Sequence, residues 1–343
     1  MENMMLNMQG DGWNLGVVLT DGAGQCAKAR RTLRLRWPKN CFLTCFAHAA
    51  NNLAKAVLKS EYSTVTKQAS RAVTVLNNSA SKWLEEAKAC MVQKYGYSLN
   101  LNQLCETRWN SMQGCFASLL RVRGSLQNIA FTFRDANLPD DLRIFGSQSF
   151  WETLIEAEQV IRPLAYASLK LQRDENTLAD VVICYLDIFT SFSSCEHGRR
   201  GLTRLVEKHW HACEQPLMLL AVFLHPLATG TQSKPLDKTP MTKRTSLCRI
   251  AANYYRRLIG EDTTNLYTDL MAWLNGSLDT PEFTSVGTIH AFWFFAQADL
   301  GNSKVPELAI VILAMVANTA TCERYFSELA LIHTSKRNRL SVD

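Results

Sequence analysis

The sequence has no Cys-x-x-Cys pair, although it carries 11 cysteines. An odd number of scattered thiols, from Cys26 to Cys322, argues against a secreted disulfide framework and for reduced thiols inside a cell. No stretch reaches the apolar length needed to span a bilayer. The opening MENMMLNMQGDGWN lacks the basic region and long apolar run of a signal peptide, so a soluble, intracellular protein is expected. Internal repeats and low-complexity linkers are also missing, which sets aside solenoids and tethered arrays. Charge of either sign is in small excess, +6 over 343 residues; that permits nucleic-acid contact without demanding it. What is plentiful is apolar residue, 47% of the chain, enough to fill two domains or one domain with a large insertion.

The most informative stretch is Val305 to Leu340, VPELAIVILAMVANTATCERYFSELALIHTSKRNRL. Pro306 suits the first position of a helix, where an N–H would have no partner, and Glu307 favours the positive end of the helix dipole. Leu308 to Val316 are apolar on every side, which predicts a helix buried all round. Past Asn318-Thr319 a second, shorter helix carries Glu323 and Arg324, with Tyr325, Phe326 and Leu329 expected on its inward face. A basic tail follows. Taken alone, Glu323 reads as solvated or paired with Arg324 or Lys336, because carboxylates are rarely buried without a partner.

Near the other end, Leu15 to Thr20 is a short apolar run ending at Asp21. It reads as a strand buried on both faces, and an acidic residue at its C-terminal end points into the crevice where such sheets place ligands. Asp21 reads equally as a cap of the helix that follows. That helix, Gln25 to Arg36, carries Lys28, Arg30, Arg31, Arg34 and Arg36, with Cys26, Ala29 and Leu33 on another face. A basic face of this kind either steers phosphates or faces water. Asn40 to Thr44 reads as a second strand, and Cys45-Phe46-Ala47-His48 opens the next helix. This C-x-x-H is no zinc finger, since no second ligand pair follows at finger spacing. His209 and Cys213 share a helix face and could meet one ion, but a surface histidine beside a core cysteine is the simpler reading.

From Ser60 to Tyr95 the pattern is helical and polar, and it leads to Thr107-Arg108-Trp109-Asn110-Ser111. A lone tryptophan there reads as a core aromatic. Met112 to Ser303 gives one amphipathic helix after another, separated by short polar loops.

Taken together, these stretches resemble hAT-family DNA transposases. The PELA helix, the C-E-R-x-F-S helix and the I-H-T-x-x-R-N-R-L tail occur in the family's order within 36 residues. Upstream, Asp21, Cys26, Ala29, Cys45, His48, Asn52 and Leu53 match its T-D and C-x-A-H-x-x-N-L elements, and Arg108-Trp109 matches its R-W element. The resemblance implies a ribonuclease H-like sheet with an Asp-Asp-Glu site binding Mg²⁺ or Mn²⁺, in which Asp21 is the second aspartate and Glu323 the glutamate. It further implies that Trp109 stacks on an extruded base while Arg108 pairs with a phosphate, that His48 belongs to the DNA-binding set, and that residues 304–343 carry the dimerisation surface.

One part of that pattern is not found. Asp11-Gly12-Trp13 looks like the family's D-G-W, yet the nine residues between Asp11 and Asp21 cannot hold the hairpin, strand and crossover that bring two strand ends together. Asp11 is expected at the start of the strand that Asp21 ends. The expected fold is therefore α/β, a partial ribonuclease H-like mixed sheet interrupted by a large all-α insertion. The division is 1–12 as a leader or gene-model remnant, 13–59 as the first part of the core, 60–303 as the insertion and 304–343 as the closing segment. The expected function is that of a nuclear, transposase-derived protein that dimerises and contacts DNA without cutting it. The rivals are an active transposase whose first aspartate lies upstream or in a partner chain, and a non-enzymatic interaction module. No membrane and no small-molecule substrate are expected.

Overall fold

A computed structural model describes residues 1–78, 82–105, 110–135, 137–194, 199–227 and 240–332. In chain order the elements begin with α1 (Glu2–Gly10), β1 (Val17–Thr20), α2 (Gly24–Arg36), β2 (Cys41–Thr44) and α3 (Phe46–Ser60). Then come α4 (Ser63–Asn78), α5 (Lys82–Tyr95), α6 (Ser111–Arg121), α7 (Arg123–Thr132), α8 (Asp140–Arg143), α9 (Gln148–Lys170), α10 (Leu178–Ser194) and α11 (Arg199–His211). The last are α12 (Gln215–Leu224), α13 (Arg244–Leu258), α14 (Leu266–Leu274), α15 (Phe283–Val286), α16 (Ile289–Leu300), α17 (Lys304–Leu313) and α18 (Ala320–Ile332). The described residues are thus mostly helical, and their sheet is one parallel pair in which Val17 faces Cys41 and Thr20 faces Thr44. None of their helices is long and apolar enough to cross a membrane.

Contacts divide the chain into two units, one of Met1–Ala49, Lys170–Asp187 and Glu207–Asp343, the other of Ala50–Leu169 and Ile188–Val206. The first unit also holds 170–187 and all of 207–303, which the sequence division gave to the insertion, while 50–59, given to the first part of the core, fall in the second unit.

In the second unit Trp151, Phe116, Phe145, Leu119 and Leu126 are fully buried. The Trp151 indole stacks on Phe145 and donates to its carbonyl at 2.8 Å. Glu158, also buried, is held by Arg162 one turn later and by Gln113 at 3.1 Å.

The first unit is built around α12, in which Leu217 to Leu224 are all buried. Its last carbonyls have no partner within the helix. Two indoles meet that need: Trp273 donates to Phe223 O at 2.7 Å and Trp293 to Leu224 O at 3.0 Å. Against this group packs α17, capped by the Ser303 hydroxyl. Pro306 is accordingly its third residue, not its first. The helix is buried on most sides, but Ile310 and Val311 are half-buried and Val316 beyond its end is exposed, so the all-round burial expected of 308–316 is incomplete.

The β1–α2–β2 segment carries further differences. Every residue of β1 is half-buried, whereas Cys41, Phe42 and Leu43 of β2 are buried. Burial of β1 on both faces was expected; among the described residues β2 is its only strand neighbour. The leader is a helix, with Met5 in a small core with Leu33 and Phe42 and with Glu2 bound to Arg36 at 2.6 Å. Asp11 caps that helix and lies outside β1.

Candidate functional site

Parallel strands place the residues that follow them at one sheet edge. Here those residues are Asp21 after Thr20 and Cys45 after Thr44, and the Cys45 N–H donates to Thr20 O at 2.7 Å. Asp21 stands just before the turn into α2, whose N-cap is Ala23 with no side-chain cap. The Asp21 Oδ1 accepts from the Ala23 N–H at 3.1 Å, fixing the turn into α2, while its charge acts on His48. Arg30, two turns into α2, reaches back to donate to Asp21 O at 2.7 Å and to the Thr20 hydroxyl.

The chain end arrives at the same edge. Ala317 O accepts from the Phe46 N–H at 3.0 Å, satisfying a donor of the first turn of α3 that has no helical partner. The Thr319 N–H donates to Cys45 Sγ at 3.3 Å, and its hydroxyl donates to Glu323 Oε1 at 2.8 Å. Glu323 lies in the first turn of α18, where the helix dipole favours a carboxylate. Its Oε1 is 3.5 Å from His48 Nδ1. The charge of Asp21, 302 positions before Glu323 in sequence, also acts on this imidazole.

The electrostatics follow from these contacts. His48 is held above its ordinary value, first by its hydrogen bond with the Cys45 thiol, against partial burial, and then by the charges of Cys45, Glu323 and Asp21. Burial pushes the Cys45 thiol up, but hydrogen bonds from His48 and Thr319 outweigh it and bring the net shift down. Asp21 is lowered, mainly by a hydrogen bond from Cys26, with the Ala23 N–H, His48 and Arg30 helping against slight burial. The Cys26 thiol is raised by the same bond. The arrangement is an imidazole whose neighbours, the Cys45 thiol and the Glu323 and Asp21 carboxylates, favour its protonated form.

Of the residues singled out from sequence, Asp21, His48 and Glu323 are brought together. Arg108 and Trp109 lie outside the described residues. Sequence reasoning passed over Thr319, whose signal is a Thr four residues before the Glu at a helix start, and over the second role of Cys26 and Arg30 as partners of the Asp21 segment. Tyr325 and Phe326 were assigned inward, and the structure reverses this: they are 60% and 64% exposed. The first turns of α18 are instead anchored through polar groups: Arg324 pairs with Asp174 at 3.1 Å, Thr321 bonds the same carboxylate, and Asn318 just before the helix donates to Arg173 O at 3.0 Å.

A divalent ion that activates water takes several hard oxygen ligands from convergent carboxylates. Asp21 and Glu323 offer two carboxylates, each already bonded, and among the described residues no group of three or more His, Cys, Asp and Glu could hold a metal ion. The described donor set does not fit the two-ion site that the resemblance implies. No protein-family model matches this chain, and no curated protein matches it.

Proposed function

We propose that this chain is a transposase-derived protein of the hAT type, which contacts DNA and associates with itself and which does not cut DNA through the residues described. The observation that supports the reading is the contact of His48 with Glu323 at the C-terminal edge of the two parallel strands, the edge that Asp21 follows. The resemblance assigns Asp21 and Glu323 to one metal site and His48 to the DNA-binding set, from three separate motifs. On this reading the β1–α2–β2 segment is part of a ribonuclease H-like sheet. His48, Arg108 and Trp109 are then the DNA contacts that the resemblance implies, Arg108 to a phosphate and Trp109 to a base. The setting is nuclear.

Self-association is supported by α18, which exposes Tyr325, Phe326, Leu331 and Ile332. Apolar side chains exposed together on one helix mark an interaction surface more often than a solvated one. A second copy of the chain is the partner that the reading implies, because the same segment, 304–343, carries the resemblance to the dimerisation region.

The test is a cleavage and binding assay on the 343-residue chain. Hairpin or single-stranded DNA is expected to bind, and Trp109→Ala is expected to weaken it by ~1–3 kcal/mol, the worth of one base–aromatic stack. No Mg²⁺- or Mn²⁺-dependent nick is expected. A nick that disappears on Glu323→Gln would overturn the inactive assignment, and unchanged affinity in a folded Trp109→Ala chain would overturn the base contact.

A further inference from the structure

A cavity of about 490 Å³ opens beside α2, wholly within the first unit. Its wall on one side is the basic face of α2, with Arg30, Arg31 and Arg34; its other walls are apolar and aromatic, with Phe42, Phe46 and Tyr185. The three arginines differ in what they have left to give. Arg30 is engaged at the Asp21 and Thr20 oxygens, and Arg34 donates to Glu214 at 2.9 Å. Arg31 is exposed and forms no ion pair with a described residue. Glu214, the acid in the cavity lining, is also bound by Arg257 and Tyr254, each at 2.7 Å. With that carboxylate shared, the α2 wall keeps a net positive charge.

We infer that this cavity is a binding site for a small molecule with a flat aromatic body and an anionic end, of the nucleoside monophosphate class. Volume and chemistry decide between classes. The space is that of an organic ligand and not of a bare ion. A lipid chain would need no polar group inside, yet His209 lines the far wall, and its burial holds it below its ordinary value, so that near neutral pH it is an imidazole able to donate at one nitrogen and accept at the other. A nucleobase edge offers donors and acceptors of that kind, its body suits the apolar lining of Phe42, Leu43, Phe46 and Tyr185, and a phosphate suits the exposed Arg31 guanidinium. The inference does not depend on the transposase reading, since none of its contacts uses Asp21, His48 or Glu323 side chains.

Isothermal titration of the full chain with AMP, adenosine and inorganic phosphate tests it, with a thymidine oligonucleotide as the polymeric alternative. AMP is expected to bind with one site per chain, and adenosine and phosphate at least about 10-fold more weakly, because each lacks half of the recognition. Arg31→Ala should weaken AMP by about 10-fold, as loss of one charge-assisted bond does, and Ala27→Phe should fill the cavity and remove binding. Circular dichroism establishes folding of both variants; should Ala27→Phe fail to fold, the exposed Arg31 still decides the matter. The inference is overturned if AMP does not bind, if adenosine binds as well as AMP, if Arg31→Ala leaves AMP affinity unchanged, or if only the oligonucleotide binds.

Discussion

Replacing Glu214 by Ala should destabilise the first unit more than any single surface change, and the contacts give the size of the effect. The carboxylate sits between α11 and α12 with its side chain 10% exposed. Oε1 accepts from Arg257 and from the Tyr254 hydroxyl, both on α13, and Oε2 accepts from Arg34 on α2. Arg257 in turn donates to Pro38 O at 2.7 Å and Asn40 O at 2.5 Å, holding the approach to β2. One carboxylate thus ties α2 and the entry to β2 to α13. The Arg34 arm, half-exposed, is worth ~0–1 kcal/mol. The Arg257 and Tyr254 arm is buried, and removing the acid there leaves the guanidinium without its counter-charge and the hydroxyl without its acceptor, a loss of ~3–5 kcal/mol. For a body of this size that lowers Tm by roughly 6–20 °C. Glu214→Gln keeps an acceptor for Tyr254 and should cost roughly half as much. Urea unfolding and calorimetry read both. A Glu214→Ala chain within about 0.5 kcal/mol of wild type, the range of ordinary surface substitutions, would refute the claim that this carboxylate is a tie.

His48 and α18 give the other expectations. Because His48 is raised in the folded chain, the stability it contributes is complete below about pH 6.5 and is lost as pH rises through its folded value. His48→Gln should therefore cost most at the acid end of a urea series, and NMR should find the imidazole titrating above the free value and falling toward it in Cys45→Ala more than in Glu323→Gln; a cost that grows with pH would contradict the arrangement around it. If α18 pairs two copies, Tyr325→Ser and Phe326→Ser should each weaken the dimer by ~1.5–3 kcal/mol, the value of one buried side chain of this size, read as a shift of sedimentation velocity toward the monomer; an unchanged profile would remove α18 from the interface.

How much of this was legible in the sequence depends on the range of the cause. The strand at 40–44 and the helix at 25–36 stand within a residue or two of their expected bounds, because short apolar runs and helical spacing are local signals. The packing of α1 was not legible, since MENMMLNMQG has no strong apolar stripe; the burial of Met5 depends on Leu33 and Phe42, which no window around it contains. The contact of Thr319 with Cys45 was not legible for a related reason. The Thr319 backbone N–H meets Cys45 across 274 positions, and backbone groups leave no mark on the residue type.

The orientation of α18 shows what periodicity leaves open. Tyr325, Phe326 and Leu329 mark an apolar side, and the usual inference turns such a side toward the core. Here the helix enters with Asn318, Thr321 and Arg324 all bonded to residues 172–174. Those bonds sit in its first two turns and fix its rotation. Thr321 and Arg324 are three positions apart and share one face, Tyr325, four after Thr321, lies beside that face, and Phe326 lies further round; both rings stay exposed. Each ring left uncovered forgoes ~1.5–3 kcal/mol of burial, while the exposed Arg324–Asp174 pair returns at most ~1 kcal/mol. Within a single copy the balance is unfavourable to this rotation, and a second surface laid over Tyr325 and Phe326 would reverse it, which is the physical ground for placing the self-association proposed for this chain on α18.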